Sequence, residues 1–136
     1  MVDLSLAYNI ALSGNTEDAI KLYSKSSVSN LLKDKRYVSS YIESVIECSR
    51  RAITEYDKEY ITYSYRFYLT QAVAVAKSFL ETNNSDCEIL YLLCICYNLL
   101  SNNQGCIRVA NKIQAIMGQE SCFLEQLIAD SLLKMS

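Results

Sequence analysis

Six cysteines and no histidine are the first chemical facts of this 136-residue chain. Cysteine can act as nucleophile, metal ligand or disulfide partner, and each use demands a spacing or a neighbour. No Cys-x-x-Cys pair occurs among Cys48, Cys87, Cys94, Cys96, Cys106 and Cys122. On a helix, Cys94 and Cys96 direct their sulfurs roughly 200° apart, so they make no metal clip. The missing histidine removes the commonest general base and the commonest metal ligand together. A cysteine nucleophile has no imidazole to activate it. The carboxylates of Glu17 and Asp18, and of Glu55, Asp57 and Glu59, fall in helical stretches and read as solvated charge. No phosphate-binding glycine loop, dinucleotide fingerprint or nucleophile elbow occurs. The expectation is a non-enzyme, with no cofactor, no metal and no small-molecule substrate. The cysteines then read as small buried hydrophobes, a use that suits a reducing compartment, cytosol or nucleus.

Bulk properties narrow the partners further. The chain is 51% apolar and 21% charged, the balance of a soluble globular domain, and its length suits one domain with its own core. Thirteen basic residues against fifteen acidic ones give no basic excess for a nucleic acid. Two small clusters, Lys33, Lys35 and Arg36, then Arg50 and Arg51, lie beside tyrosines. Asp34, Glu43, Glu47 and Glu55 offset them, which argues against RNA binding. Residues 1–12 carry Asp3 and no basic residue, unlike a secretory signal. The most apolar window, 89–100, contains Asn98 and falls short of the roughly 20 residues that a membrane span needs. Protein partners remain.

The elements that would position any site are helical. Proline is absent and glycine occurs only at 14, 105 and 118. The pattern predicts a helix over about 3–13, ended by Gly14, and a second one capped by Asn15 or Thr16. Tyr37, Tyr41, Val45 and Cys48 share a helical spacing with Val38, Ile42 and Ile46, predicting an amphipathic helix from about 36 to 51. Tyr56, Tyr60, Tyr63 and Phe67 fall on one face of the next stretch, and 70–80 reads as a separate, well-buried helix. Ser85 and Glu88 spell a capping box for a helix reaching about 100. Another runs to Met117, stopped by Gly118, and Ser121 can cap a final helix.

Two stretches repeat one pattern: Leu6, Ala7, Ile10, Gly14, Ala19, Tyr23 and Ser26 early, then Leu90, Leu93, Cys94, Tyr97, Cys106, Ala110 and Ile113. Moved back about 34 residues, the second copy still meets Ala72, Ala76 and Phe79. Small residues where two helices cross let them pack closely. This spacing places hairpins at about 1–30, 53–86 and 87–120, an inserted helix at about 31–52 that breaks the register, and a capping helix at 121–136 within a single domain, 1–136.

These positions resemble the tetratricopeptide repeat family over 4–26, 70–86 and 87–113. Two departures stand out: the closing proline of each repeat is missing, and Ser101 stands where the family often has glycine. The resemblance implies an all-α, right-handed superhelix of about 7–8 antiparallel helices whose concave face binds protein segments. The run from Gln71-Ala72-Val73-Ala74-Val75-Ala76 to Leu90-Tyr91-Leu92-Leu93-Cys94-Ile95-Cys96-Tyr97 is similar to the N-terminal region of the repeat subunits of the anaphase-promoting complex. That similarity implies a cell-cycle role as a homodimerising structural subunit of a ubiquitin-ligase assembly.

In that geometry the partner groove is lined by Leu4, Tyr8, Ala11 and Leu12 of the first helix and by Glu88, Tyr91, Ile95, Asn98 and Leu99 of the later one. These positions hold no lysine or arginine, so a carboxylate clamp is not expected; an apolar groove suits an amphipathic helix. Eleven tyrosines, seven of them between 37 and 68, suggest a dimer face at Tyr37, Tyr41, Tyr56, Tyr60 and Tyr63, with a half-buried place in the core as the alternative. The expected function is a self-associating interaction scaffold, or alternatively an adaptor or chaperone that holds a partner helix.

Overall fold

A computed structural model describes residues 2–55, 58–118 and 122–135, the side chains of 53–64, 122 and 123 excepted. Among the described residues the chain is all helix: α1 Leu4–Leu12, α2 Thr16–Ser24, α3 Val28–Leu31, α4 Lys35–Glu55, α5 Lys58–Leu80, α6 Cys87–Leu99, α7 Asn103–Met117 and α8 Cys122–Met135.

Local chemistry sets most of the boundaries. The Asp3 carboxylate accepts from the Leu6 amide at 3.0 Å and starts α1. Gly14 ends that helix with φ +93, its own amide donating to the Ala11 carbonyl and the Asn15 amide to Ile10. The turn after α6 repeats this bonding with Ser101, whose amide donates to Asn98 while the Asn102 amide donates to Tyr97. In both turns a left-handed residue satisfies the orphan carbonyls of a helix end. Asp86, not Ser85, caps α6: its carboxylate accepts from the Ile89 amide at 3.1 Å, and the Ser85 hydroxyl donates to Asn84 instead. Asp86 has the extended backbone that a cap needs, one residue later than the expected capping box. The expected cap at Ser121 lies outside the described residues.

The hairpins differ from the expected layout. Residues 58–80 form one continuous helix rather than the second half of a hairpin at 53–86, and α5 packs back against α4. The segment expected as an insertion therefore supplies the first helix of the middle hairpin. Three pairs follow one another, α1 with α2, α4 with α5, and α6 with α7, and α8 lies against α7. The register break has a simple cause. The middle helices have 21 and 23 residues against nine in each of α1 and α2, and the short α3 adds four more. At 1.5 Å per residue, α4 and α5 are about 32 and 35 Å long.

The second helices of the three pairs share one burial pattern. Ala19, Ala72 and Cys106 each have no exposed surface, and neither do Tyr23, Ala76 and Ala110 one turn later. Helix α4 packs against α1, α2, α3, α5 and α6, and it buries Val38, Tyr41, Ile42, Val45 and Ile46. Each such side chain contributes roughly 1.5–3 kcal/mol relative to exposure. Helix α6 is buried almost all round because α4, α5 and α7 surround it, which explains its near-continuous apolar run.

A candidate protein-binding groove

The first helices of the three hairpins touch in order, α1 with α4 and α4 with α6, and two clefts run along the seams between them. The first, of about 360 Å³, lies between Tyr8, Ala11 and Leu12 of α1 and Lys35, Arg36, Ser39, Ser40, Glu43 and Ser44 of α4, with Glu88 at its far rim. The second, of about 590 Å³, lies between Ile46, Arg50 and Arg51 of α4 and Tyr91, Leu92 and Ile95 of α6. Glu43 and Glu47 line both, so the two clefts form one groove across α4.

The floor is made of small polar residues because α4 must bury that face against its neighbours. Ser39, Ser40 and Ser44 are all buried. The Tyr23 hydroxyl donates to Ser40 Oγ at 2.8 Å, and the Ser39 hydroxyl donates to Glu88 Oε1 at 3.0 Å. Bulky side chains here would fill the groove.

Its walls carry charge held by specific partners. Lys35 Nζ stands 3.0 Å from both Asp86 and Glu88, joining α4 to the start of α6, and those two carboxylates raise the lysine's pKa. The Arg36 guanidinium pairs with Asp34 at 2.8 Å and lies 5.8 Å above the Tyr8 ring. Arg51 pairs with Glu47 one turn away. Burial, helped by the nearby Glu88 charge, pushes the Glu43 carboxyl above its ordinary value. The groove is therefore mixed: tyrosine and leucine on its α1 and α6 walls, carboxylates along its middle, paired cations at its ends.

Of the residues expected to line a groove, Tyr8, Ala11, Leu12, Glu88, Tyr91 and Ile95 do so. Leu4 does not: it packs on the core and borders a separate cleft with Asn30 and Tyr37. Asn98 lines neither cleft, because its side-chain amide donates to Asp130 of α8 at 3.0 Å. Leu99 packs against the core. The expectation of a groove without lysine or arginine fails, since α4 brings Lys35, Arg36, Arg50 and Arg51 to it. Sequence reasoning missed them by treating α4 as an inserted helix that breaks the register, with no place assigned to it in the stack. The signal was present in Ser39, Ser40 and Ser44, small residues on a helix otherwise rich in Tyr, Ile and Val.

The expected dimer face is divided. Tyr41 is 3% exposed and packs edge-on against Tyr23 at 5.7 Å, so it belongs to the chain's own core. Tyr37 is half-buried against Tyr8, ring centres 6.2 Å apart. Tyr56 and the side chains of Tyr60 and Tyr63 lie outside the described residues.

Four of the five cysteines with described side chains sit in the interior. Cys48, Cys94, Cys96 and Cys106 are buried free thiols, and Cys87 is half-buried. Burial pushes the Cys96 thiol up to about 12, away from reactivity. Among the described residues, no three Cys, Asp or Glu side chains converge as a metal site requires, and no helix is long and apolar enough to cross a membrane. No protein-family model matches the chain, and neither a curated protein nor a solved structure does.

Proposed function

We propose that this chain is a non-enzymatic protein–protein interaction scaffold, a right-handed tetratricopeptide-like stack whose α1–α4–α6 face takes up a segment of another protein. The observation that carries the reading is the shared wall of Glu43 and Glu47, which joins two clefts from three successive hairpins into one groove. Its apolar and charged walls suit an amphipathic segment with apolar residues on one side. The five described cysteines are free thiols, which suits residence in cytosol or nucleus.

Peptide display on the folded chain, followed by affinity measurement on variants, tests this reading. Leu12→Arg and Glu43→Lys should weaken selected ligands by about tenfold or more, a change of about 1.4 kcal/mol. Lys112→Glu on α7, outside both clefts, should leave them unchanged. Ligands indifferent to the two groove variants would refute it.

A second reading, a self-associating structural subunit of a larger assembly such as a ubiquitin ligase of the cell cycle, is favoured by one observation. Ile116 and Met117 of α7 and Leu132, Leu133 and Met135 of α8 are exposed near the end of the stack. Light scattering across concentration tests it: a dimer at low micromolar concentration supports the subunit, and a persistent monomer supports the adaptor.

A further inference from the structure

At the crossing of α6 and α7 two thiols touch. Cys94 Sγ lies 3.4 Å from Cys106 Sγ, and neither residue has any exposed surface. The equivalent positions of the first hairpin, eighty-seven residues earlier, are Ala7 and Ala19, also fully buried. The first crossing has a methyl group at each place, and this one has thiols at both. Two sulfurs at this separation need only a small approach to reach bonding distance. The Ser131 hydroxyl of α8, fully buried and without a hydrogen-bond partner of regular geometry, stands beside Cys106. We infer that Cys94 and Cys106 form a peroxide-oxidisable dithiol that closes to a disulfide and locks the α6–α7 hairpin.

The two sulfurs are unequal. The contact between them raises the Cys94 pKa, as burial also does, and lowers that of Cys106, as Ser131 and Lys134 also do. Cys106, with the Ser131 hydroxyl and Lys134 of α8 beside it, is the attacking sulfur. Its thiolate attacks one oxygen of hydrogen peroxide, the O–O bond breaks, and the departing hydroxide takes up the proton Cys106 has lost, leaving a sulfenic acid. The Cys94 sulfur then attacks the Cys106 sulfur; the S–S bond forms, hydroxide leaves, and it takes the Cys94 proton as water. In sum, two thiols lose two electrons and one peroxide becomes two waters. A resolving thiol already in contact favours this closure over further oxidation of the sulfenic acid.

The test treats the full chain with dilute hydrogen peroxide under native conditions and maps thiols by mass spectrometry after chymotryptic cleavage, which cuts after Tyr97 between the two. The expected product has lost two hydrogens, links Cys94 to Cys106, and returns to two thiols with dithiothreitol. Cys94→Ala should abolish the link, and Cys96→Ala should keep it. The map of the unsubstituted chain decides the matter even where a variant fails to fold. Thiols that stay free while the protein remains folded, sulfinic acid at Cys106, or a link to any other cysteine would overturn the inference.

Discussion

Ser101 occupies, in the turn between α6 and α7, the place that Gly14 occupies between α1 and α2: φ is +61 at the serine and +93 at the glycine, with the same pair of amide-to-carbonyl bonds around each. A side chain in this conformation costs roughly 1–2 kcal/mol. Ser101→Gly should therefore stabilise the chain by about 1 kcal/mol, and Gly14→Ala should destabilise it by about 1–2 kcal/mol. Urea titration of both variants checks the signs, with unchanged m-values expected.

Tyr41 makes the fold sensitive to alkali. Burial pushes its phenol up to about 12 from an ordinary value of 10.0. The folded state thus keeps a proton that the unfolded chain releases near pH 10. Its stabilising contribution is complete below that pH and is lost as pH rises from about 10 to about 12, on the order of 2–3 kcal/mol in total. Chemical denaturation from pH 8 to 12 should show the decline, and Tyr41→Phe should make it shallower, leaving the part that the buried Cys96 thiol contributes.

Close packing at the helix crossings should punish added volume. Cys106→Leu and Ala19→Leu place a large side chain where none of the native residue's surface is exposed. Each should cost about 1–3 kcal/mol or more. Cys94→Ala, which copies the equivalent Ala7, should cost less than either. Thermal melts of the three variants give the order.

Lys35 ties α4 to the start of α6 through two carboxylates, yet its side chain is 43% exposed. Screening by water and salt limits its value, so Lys35→Met should cost only about 0.5–1 kcal/mol at low ionic strength and less at 1 M salt. Denaturation at the two salt concentrations measures the difference.

What was legible in the sequence was local. Gly14, Gly118 and the spacing of Ala19, Ala72 and Cys106 mark helix ends and buried faces through short-range geometry, and the structure has them there. The pairing of the middle helices was not legible. Residues 31–81 contain no glycine or proline, so nothing in them marks where α4 stops and α5 starts. A repeat of fixed length then put a helix break within α5 and set α4 aside as an insertion. The groove suffered most, since α4 supplies most of its charged residues and its serine floor. Asn98 was misplaced for a related reason: its partner, Asp130, is thirty-two residues away on α8, beyond any local pattern.

The claim that one face of α1, α4 and α6 receives a partner is tested most directly by amide chemical-shift mapping with a displayed-and-selected peptide. Titration should move the signals of Ser40, Glu43, Ser44 and Tyr91 together and leave those of Asn111 and Lys112 on α7 in place. Shifts confined to α7 and α8, with the α4 amides unmoved at saturation, would contradict it.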